Sequence, residues 1–104
     1  MKRVAFKMQL LPGCQEEYQR RHNAIWPELT KLLREAGIRE YSIFLDPDTD
    51  TLFAFQKVKE DTGSQDLGTH EIIRRWWKYM ADIMVTHPDH SPVSKPLTEV
   101  FYVE

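Results

Sequence analysis

The chain has 104 residues, 41% apolar and 29% charged, and its 14 basic and 16 acidic side chains give a formal net charge of −2. That length suits one domain, residues 1–104, and the balanced charge offers no basic face for nucleic acid. A single cysteine, Cys14, excludes an intrachain disulfide, and no run of about 18 apolar residues predicts a membrane span. The start, MKRVAFKMQLLPG, lacks the apolar segment of a secretory signal, so the expected location is cytoplasmic.

Residues 3–10, RVAFKMQL, place Val4, Phe6, Met8 and Leu10 on one side and polar or small residues on the other, the alternation of a strand. Pro12-Gly13 ends it. A helical region is predicted from about Gln15 to Ala36, with Gly37 as its C-terminal cap. Pro27 interrupts it, since proline cannot donate to the preceding turn and holds Trp26 out of the α region. Two helical pieces therefore meet at Trp26-Pro27, the second carrying Leu29, Leu32 and Leu33 inward, with a concave elbow just after His22.

Residues 40–46, EYSIFLD, and 51–58, TLFAFQKV, read as strands joined by the turn PDTD. A polar loop, EDTGSQDLG, leads into THEIIRRWWKYMADIM, whose Ile72, Ile73, Trp76, Trp77, Met80, Ile83 and Met84 recur at helical spacing. Prolines make THPDHSPVSKP irregular, and LTEVFYVE, residues 97–104, is predicted as a last strand. The order β-α-β-β-α-β points to an α+β fold, the ferredoxin-like split βαβ, with a four-stranded antiparallel sheet and helices on one face. Apolar residues fall on both sides of the strands: Phe53 and Phe55 alternate with Leu52 and Ala54, and Phe44 alternates with Ile43 and Leu45. Both faces need covering, which predicts a homodimer. The basic pairs Arg20-Arg21 and Arg74-Arg75 read as solvated helix surface.

His22 is the first candidate for chemistry. Tyr18, His22, Ile25 and Leu29 share one helical face, so an imidazole stands in the stripe that normally faces a core. It is either a core histidine with a satisfied hydrogen bond or a general acid and base working near neutrality. The pair Trp76-Trp77 is either one core indole and one interface indole or the wall of a cleft, where flat apolar rings match the C–H patches and hydroxyls of a sugar. Tyr41 and Tyr79 could add phenols. The segment His87-Pro88-Asp89-His90 lacks the further ligands a metal needs and reads as a stiff loop, and Cys14 has no adjacent base to activate it.

Taken together, HNAIWPEL, YSIFLD, RWWKYMADIM and PDHSPVSKPLTEVFYV closely resemble the L-rhamnose mutarotases, nearly end to end. The resemblance implies a dimeric α+β barrel of two ferredoxin-like halves and an isomerase that interconverts the α and β anomers of L-rhamnose with no metal or organic cofactor. It implies His22 as the proton donor and Tyr18, Tyr41, Trp76 and Trp77 as substrate-contacting residues. Residues 59–70, KEDTGSQDLGTH, carry nothing over from it. Two other readings fit parts of the pattern. One is a haem- or quinol-directed monooxygenase, since the same dimeric barrel hosts those. The other is a non-enzymatic sugar-binding module.

Overall fold

The computed structural model describes residues 1–104. Its elements run β1 (Lys2–Gln9), α1 (Gln15–Asn23), α2 (Pro27–Glu35), β2 (Ile38–Asp46), β3 (Thr51–Val58), α3 (Glu71–Met80) and β4 (Lys95–Leu97). The sheet is antiparallel throughout, in the order β2-β3-β1-β4, which is the ferredoxin-like arrangement predicted. Register decides which residues meet. Phe6 faces Ala54 and Met8 faces Leu52 across β1 and β3, while Ile43 and Leu45 of β2 face Ala54 and Leu52. Paired residues share a side, so these form the floor on which Leu29, Ile73, Trp76, Trp77 and Met80 pack. Each such side chain taken from water contributes roughly 1.5–3 kcal/mol.

The helical break falls where proline requires it. Helix α1 ends at Asn23, Trp26 is extended at φ −66° and ψ 129°, and Pro27 opens α2 at a position where a missing N–H costs nothing. The redirected α2 delivers Leu29 into the core. Gly37 closes it at φ +85°, and a Cβ there would stand 2.7 Å from the Cβ of Lys59, whose N–H donates to the Gly37 carbonyl. Glycine is needed on both counts.

Three expectations need correction. The last strand is Lys95–Leu97, not residues 97–104. It pairs with Ala5, Phe6 and Lys7, after which side chains take over from the ladder: Arg3 donates two hydrogen bonds to Glu99 and stacks on Tyr102, its guanidinium carbon 3.3 Å from the ring centre. Helix α3 stops at Met80. Ala81–Ile83 tighten into a 3₁₀ turn, and Met84 bridges to Leu10. Arg21 is not solvated surface. Its side chain is 10% exposed, bonded to Glu17, the Tyr79 carbonyl and both oxygens of Asp82, so it ties α1 to the end of α3.

Candidate active site

A cavity of about 560 Å³ lies between the sheet and the helices, and Tyr18, His22, Tyr41, Trp76 and Trp77 all line it. Residues spaced far along the chain converge because each element turns one face to the same space. His22 sits in the last turn of α1, where its Nδ1 is 3.1 Å from the Tyr18 carbonyl. A carbonyl can only accept, so Nδ1 carries the hydrogen and Nε2 is left as the nitrogen with a free lone pair. The ring stacks on Tyr18 at 4.2 Å and 29°, and meets Trp76 edge-on at 5.3 Å and 87°. Trp26, freed from the helix by Pro27, also meets Trp76 edge-on, at 5.1 Å and 85°. The proline break thus supplies a backing for the cavity wall, a role the sequence reading had not given Trp26. Both indoles of the Trp76-Trp77 pair are largely buried and both line the cavity, from adjoining faces of α3.

Tyr41 reaches the cavity by alternation with Ile43 and Leu45, and an irregularity lies just before it. Ile38 and Ile43 both face the helices although an odd number of steps separates them. A bulge between Arg39 and Ser42, with Glu40 at φ +48°, absorbs the odd residue and so keeps Ile38 on the same side as Tyr41, Ile43 and Leu45. Its hydroxyl lies 3.5 Å from Ser64 Oγ, beneath the loop after β3. Ser64 and Gln65 also line the cavity, so the loop that carried no sequence signal closes one side. Tyr79 does not line it. That ring packs outside, against Trp26 and Trp76, with the Arg21 guanidinium 4.7 Å from its centre. The His87–His90 segment is a turn held by Asp89, which accepts from the backbone and hydroxyl of Ser91.

Burial sets the electrostatics. It lowers the His22 pKa below its ordinary 6.5, opposed by the hydrogen bond to the Tyr18 carbonyl. It raises Tyr18 above its ordinary 10, with nearby Tyr41 adding to the effect, and it raises Tyr41, with Ser64 opposing. At neutral pH the imidazole and both phenols are therefore uncharged.

An α+β domain with one imidazole and two phenols in an aromatic, uncharged cavity has the groups that proton chemistry on a small neutral molecule needs. The family model for L-rhamnose mutarotase matches residues 3–103. The chain is 58% identical to the L-rhamnose mutarotase of Formosa agariphila and 59% identical to that of Bacteroides thetaiotaomicron, in both cases over 104 residues and all of both chains. This chain belongs to the L-rhamnose mutarotase family. The crystal structure of the Formosa agariphila L-rhamnose mutarotase superposes with a TM-score of 0.93 at 54% identity, covering all of both chains. The protein Rv0793 from Mycobacterium tuberculosis, at 14% identity and a TM-score of 0.59 over 98% of this chain and 97% of that one, shares the fold alone.

Proposed function

We propose that this chain is an isomerase that interconverts the α and β anomers of L-rhamnose, with His22 as its proton-transfer group and Tyr18, Tyr41, Trp76 and Trp77 in contact with the sugar. The observation that carries the reading is the placement of His22, whose Nδ1–H is committed to the Tyr18 carbonyl while the ring lines an aromatic cavity beside Trp76. Neutral His22 takes the proton of the anomeric hydroxyl at Nε2 as the bond from C1 to the ring oxygen breaks. The ring oxygen takes a proton from a hydroxyl on the cavity wall, and C1 becomes an aldehyde. Rotation about the C1–C2 bond presents the other face. The ring hydroxyl then attacks C1, returns its proton to the wall, and the imidazolium gives its Nε2 proton to the carbonyl oxygen. His22 is thus the donor on the closing half of the cycle. No covalent step or oxyanion hole is required, and a positioned imidazole supplies a factor of roughly 10²–10⁴.

Saturation transfer between the anomeric protons of L-rhamnose tests this directly. The protein should raise the exchange rate above that in buffer, and a panel of other aldoses should show a smaller rise. Binding without acceleration would leave a sugar-binding module and sink the enzymatic reading.

Residues 1–104 act as one domain in this reading, and the working unit is a homodimer. On the open face of the sheet Phe44 is 62% exposed and Phe55 43%, and the tail leaves Val100 and Phe101 almost bare. A second copy over that face covers both, as exposed aromatic patches of this kind require. The cytoplasm is the proposed location. Cys14 is free, and no helix is long and apolar enough to cross a membrane.

A further inference from the structure

Gln56 and Ser64 are buried polar residues that the proposed proton cycle does not use, and their hydrogen bonds have a fixed polarity. Gln56 lies on β3, 2% exposed, on the helix face of the sheet. Its Oε1 accepts from the Ser64 backbone N–H at 2.8 Å. A backbone N–H can only donate, so the orientation of the amide is settled and its Nε2 donates to Ser64 Oγ at 2.9 Å. Gln65 Nε2 adds a second donor to the same oxygen at 3.5 Å. Ser64 Oγ thus accepts from Gln56, with Gln65 at the outer limit of hydrogen bonding, and keeps its own O–H to give. It gives it to the Tyr41 hydroxyl, 3.5 Å away. Tyr41, accepting from Ser64, must aim its phenolic proton elsewhere, and its side chain lines the cavity.

The loop is built to hold this chain. A Cβ on Gly63 would stand 2.9 Å from Gln56 Oε1, so any larger residue there would push the amide from its place. The Asp66 carboxylate accepts from the Gly63 N–H at 2.9 Å and locks the turn over Ser64–Asp66. We infer that Gln56 and Ser64 are positioning residues, a one-way hydrogen-bond chain that makes Tyr41 a permanent donor toward a sugar oxygen. The inference rests on the mutarotase reading of this cavity and extends it, because it names the wall hydroxyl poised to serve the ring oxygen.

A double-mutant cycle tests it, with anomeric exchange by saturation transfer and L-rhamnose affinity by tryptophan fluorescence as paired readouts. Ser64→Ala should slow exchange about fivefold to tenfold in the parent and less than about twofold when Tyr41→Phe is already present, as residues acting through one another do not add. Ser64→Thr, which keeps the hydroxyl, should restore most of the rate. Gln56→Glu gives a second route in case Ser64→Ala fails to fold. An ionised carboxylate can only accept, so it turns the Ser64 O–H around and draws the Tyr41 proton out of the cavity, and its loss of rate should likewise vanish with Tyr41→Phe. Equal losses in both backgrounds, or no loss at all, overturn the inference. A parent that binds L-rhamnose without accelerating exchange defeats the mutarotase reading instead, and the affinity cycle then still decides whether Ser64 acts through Tyr41.

Discussion

Replacing His22 with alanine removes one ring and three interactions: the Nδ1–H bond to the Tyr18 carbonyl, the stack on Tyr18 and the edge contact with Trp76. The two aromatic contacts contribute about 0.5–1.5 kcal/mol each, so the variant should lose roughly 1–3 kcal/mol of stability and still fold. The cost to the reaction barrier should be the greater. An acid–base contribution of about 10²–10⁴-fold corresponds to roughly 2.7–5.4 kcal/mol of barrier, at about 1.36 kcal/mol per tenfold. The assay is saturation transfer at the anomeric protons of L-rhamnose, with exchange in buffer subtracted and the protein held well below its melting temperature. Acidity gives an independent handle on the same residue. Burial places the His22 pKa in the fold below 6.5, so the unfolded chain binds its proton first as pH drops. Its contribution to stability is complete above about pH 6.5 and is lost as pH falls toward the lower folded value, and the rate should fall in that same acidic window. Wild-type exchange in His22→Ala would refute the assignment, as would a parent rate that rises steadily on acidification below pH 6.

Three other outcomes follow from the packing. Arg21→Ala should cost about 1–2 kcal/mol by thermal or urea melting, because the bonds from an enclosed side chain to Glu17, Asp82 and the Tyr79 carbonyl are lost together, with both carboxylates screened by water. Gly37→Ala should cost roughly 1–3 kcal/mol, from a left-handed backbone and a Cβ driven against Lys59, with little change in exchange rate per folded molecule. Phe55→Glu, on the open sheet face beside Phe44, should shift the protein from dimer to monomer in analytical ultracentrifugation, and a parent that sediments as a monomer would remove the proposed interface.

The parts of the fold legible in the sequence are those governed by short-range rules. Alternation placed β1 and β3 to within a residue, and Pro27 placed the break between α1 and α2. Three features were hidden, each for a different physical reason. The bulge that brings Ile38 to the same side as Tyr41 and Ile43 leaves no mark on composition, since it trades one residue of register against a positive φ at Glu40. Arg21 looked like surface because its partners, Asp82 and the Tyr79 carbonyl, lie about sixty positions away in the chain. The tail reads as a strand from the alternation of its apolar residues, but the ladder with β1 spans only Lys95–Leu97 and ends before it.

The candidate site divides the same way. Helical spacing alone put His22 beside Tyr18, and helical spacing alone set Trp76 and Trp77 on adjoining faces. Nothing local could show that α1 and α3 present those faces to one cavity, or that a polar loop with no recognisable motif closes it through Ser64. Gln56 gave a faint signal. It is a polar residue in phase with Leu52, Ala54 and Val58, on the side of β3 that should be apolar. A polar group at a core position either carries a partner with it or costs roughly 1–3 kcal/mol, so its phase alone announced a buried hydrogen bond.

Burial acts in opposite directions on the groups it gathers, and under the proposed function that is what fits this cavity to a sugar. Taking His22 out of water makes it harder to protonate, and taking Tyr18 and Tyr41 out of water makes them harder to deprotonate. Each stays neutral, so the cavity contains no unpaired buried charge, which would cost several kcal/mol. The same neutrality leaves Nε2 as a lone pair and the phenols as donors. A hydroxyl and an ether oxygen on adjoining atoms, as in a hemiacetal, meet that pair in complementary roles. When a proton moves from the anomeric hydroxyl to Nε2 while another moves from a phenol to the ring oxygen, the imidazolium and phenolate appear together, as a pair that attracts across a medium less screening than water. Each would be expensive alone in such a place. A charged substrate would upset the balance from the start, and a neutral one that exchanges two protons within a single ring does not.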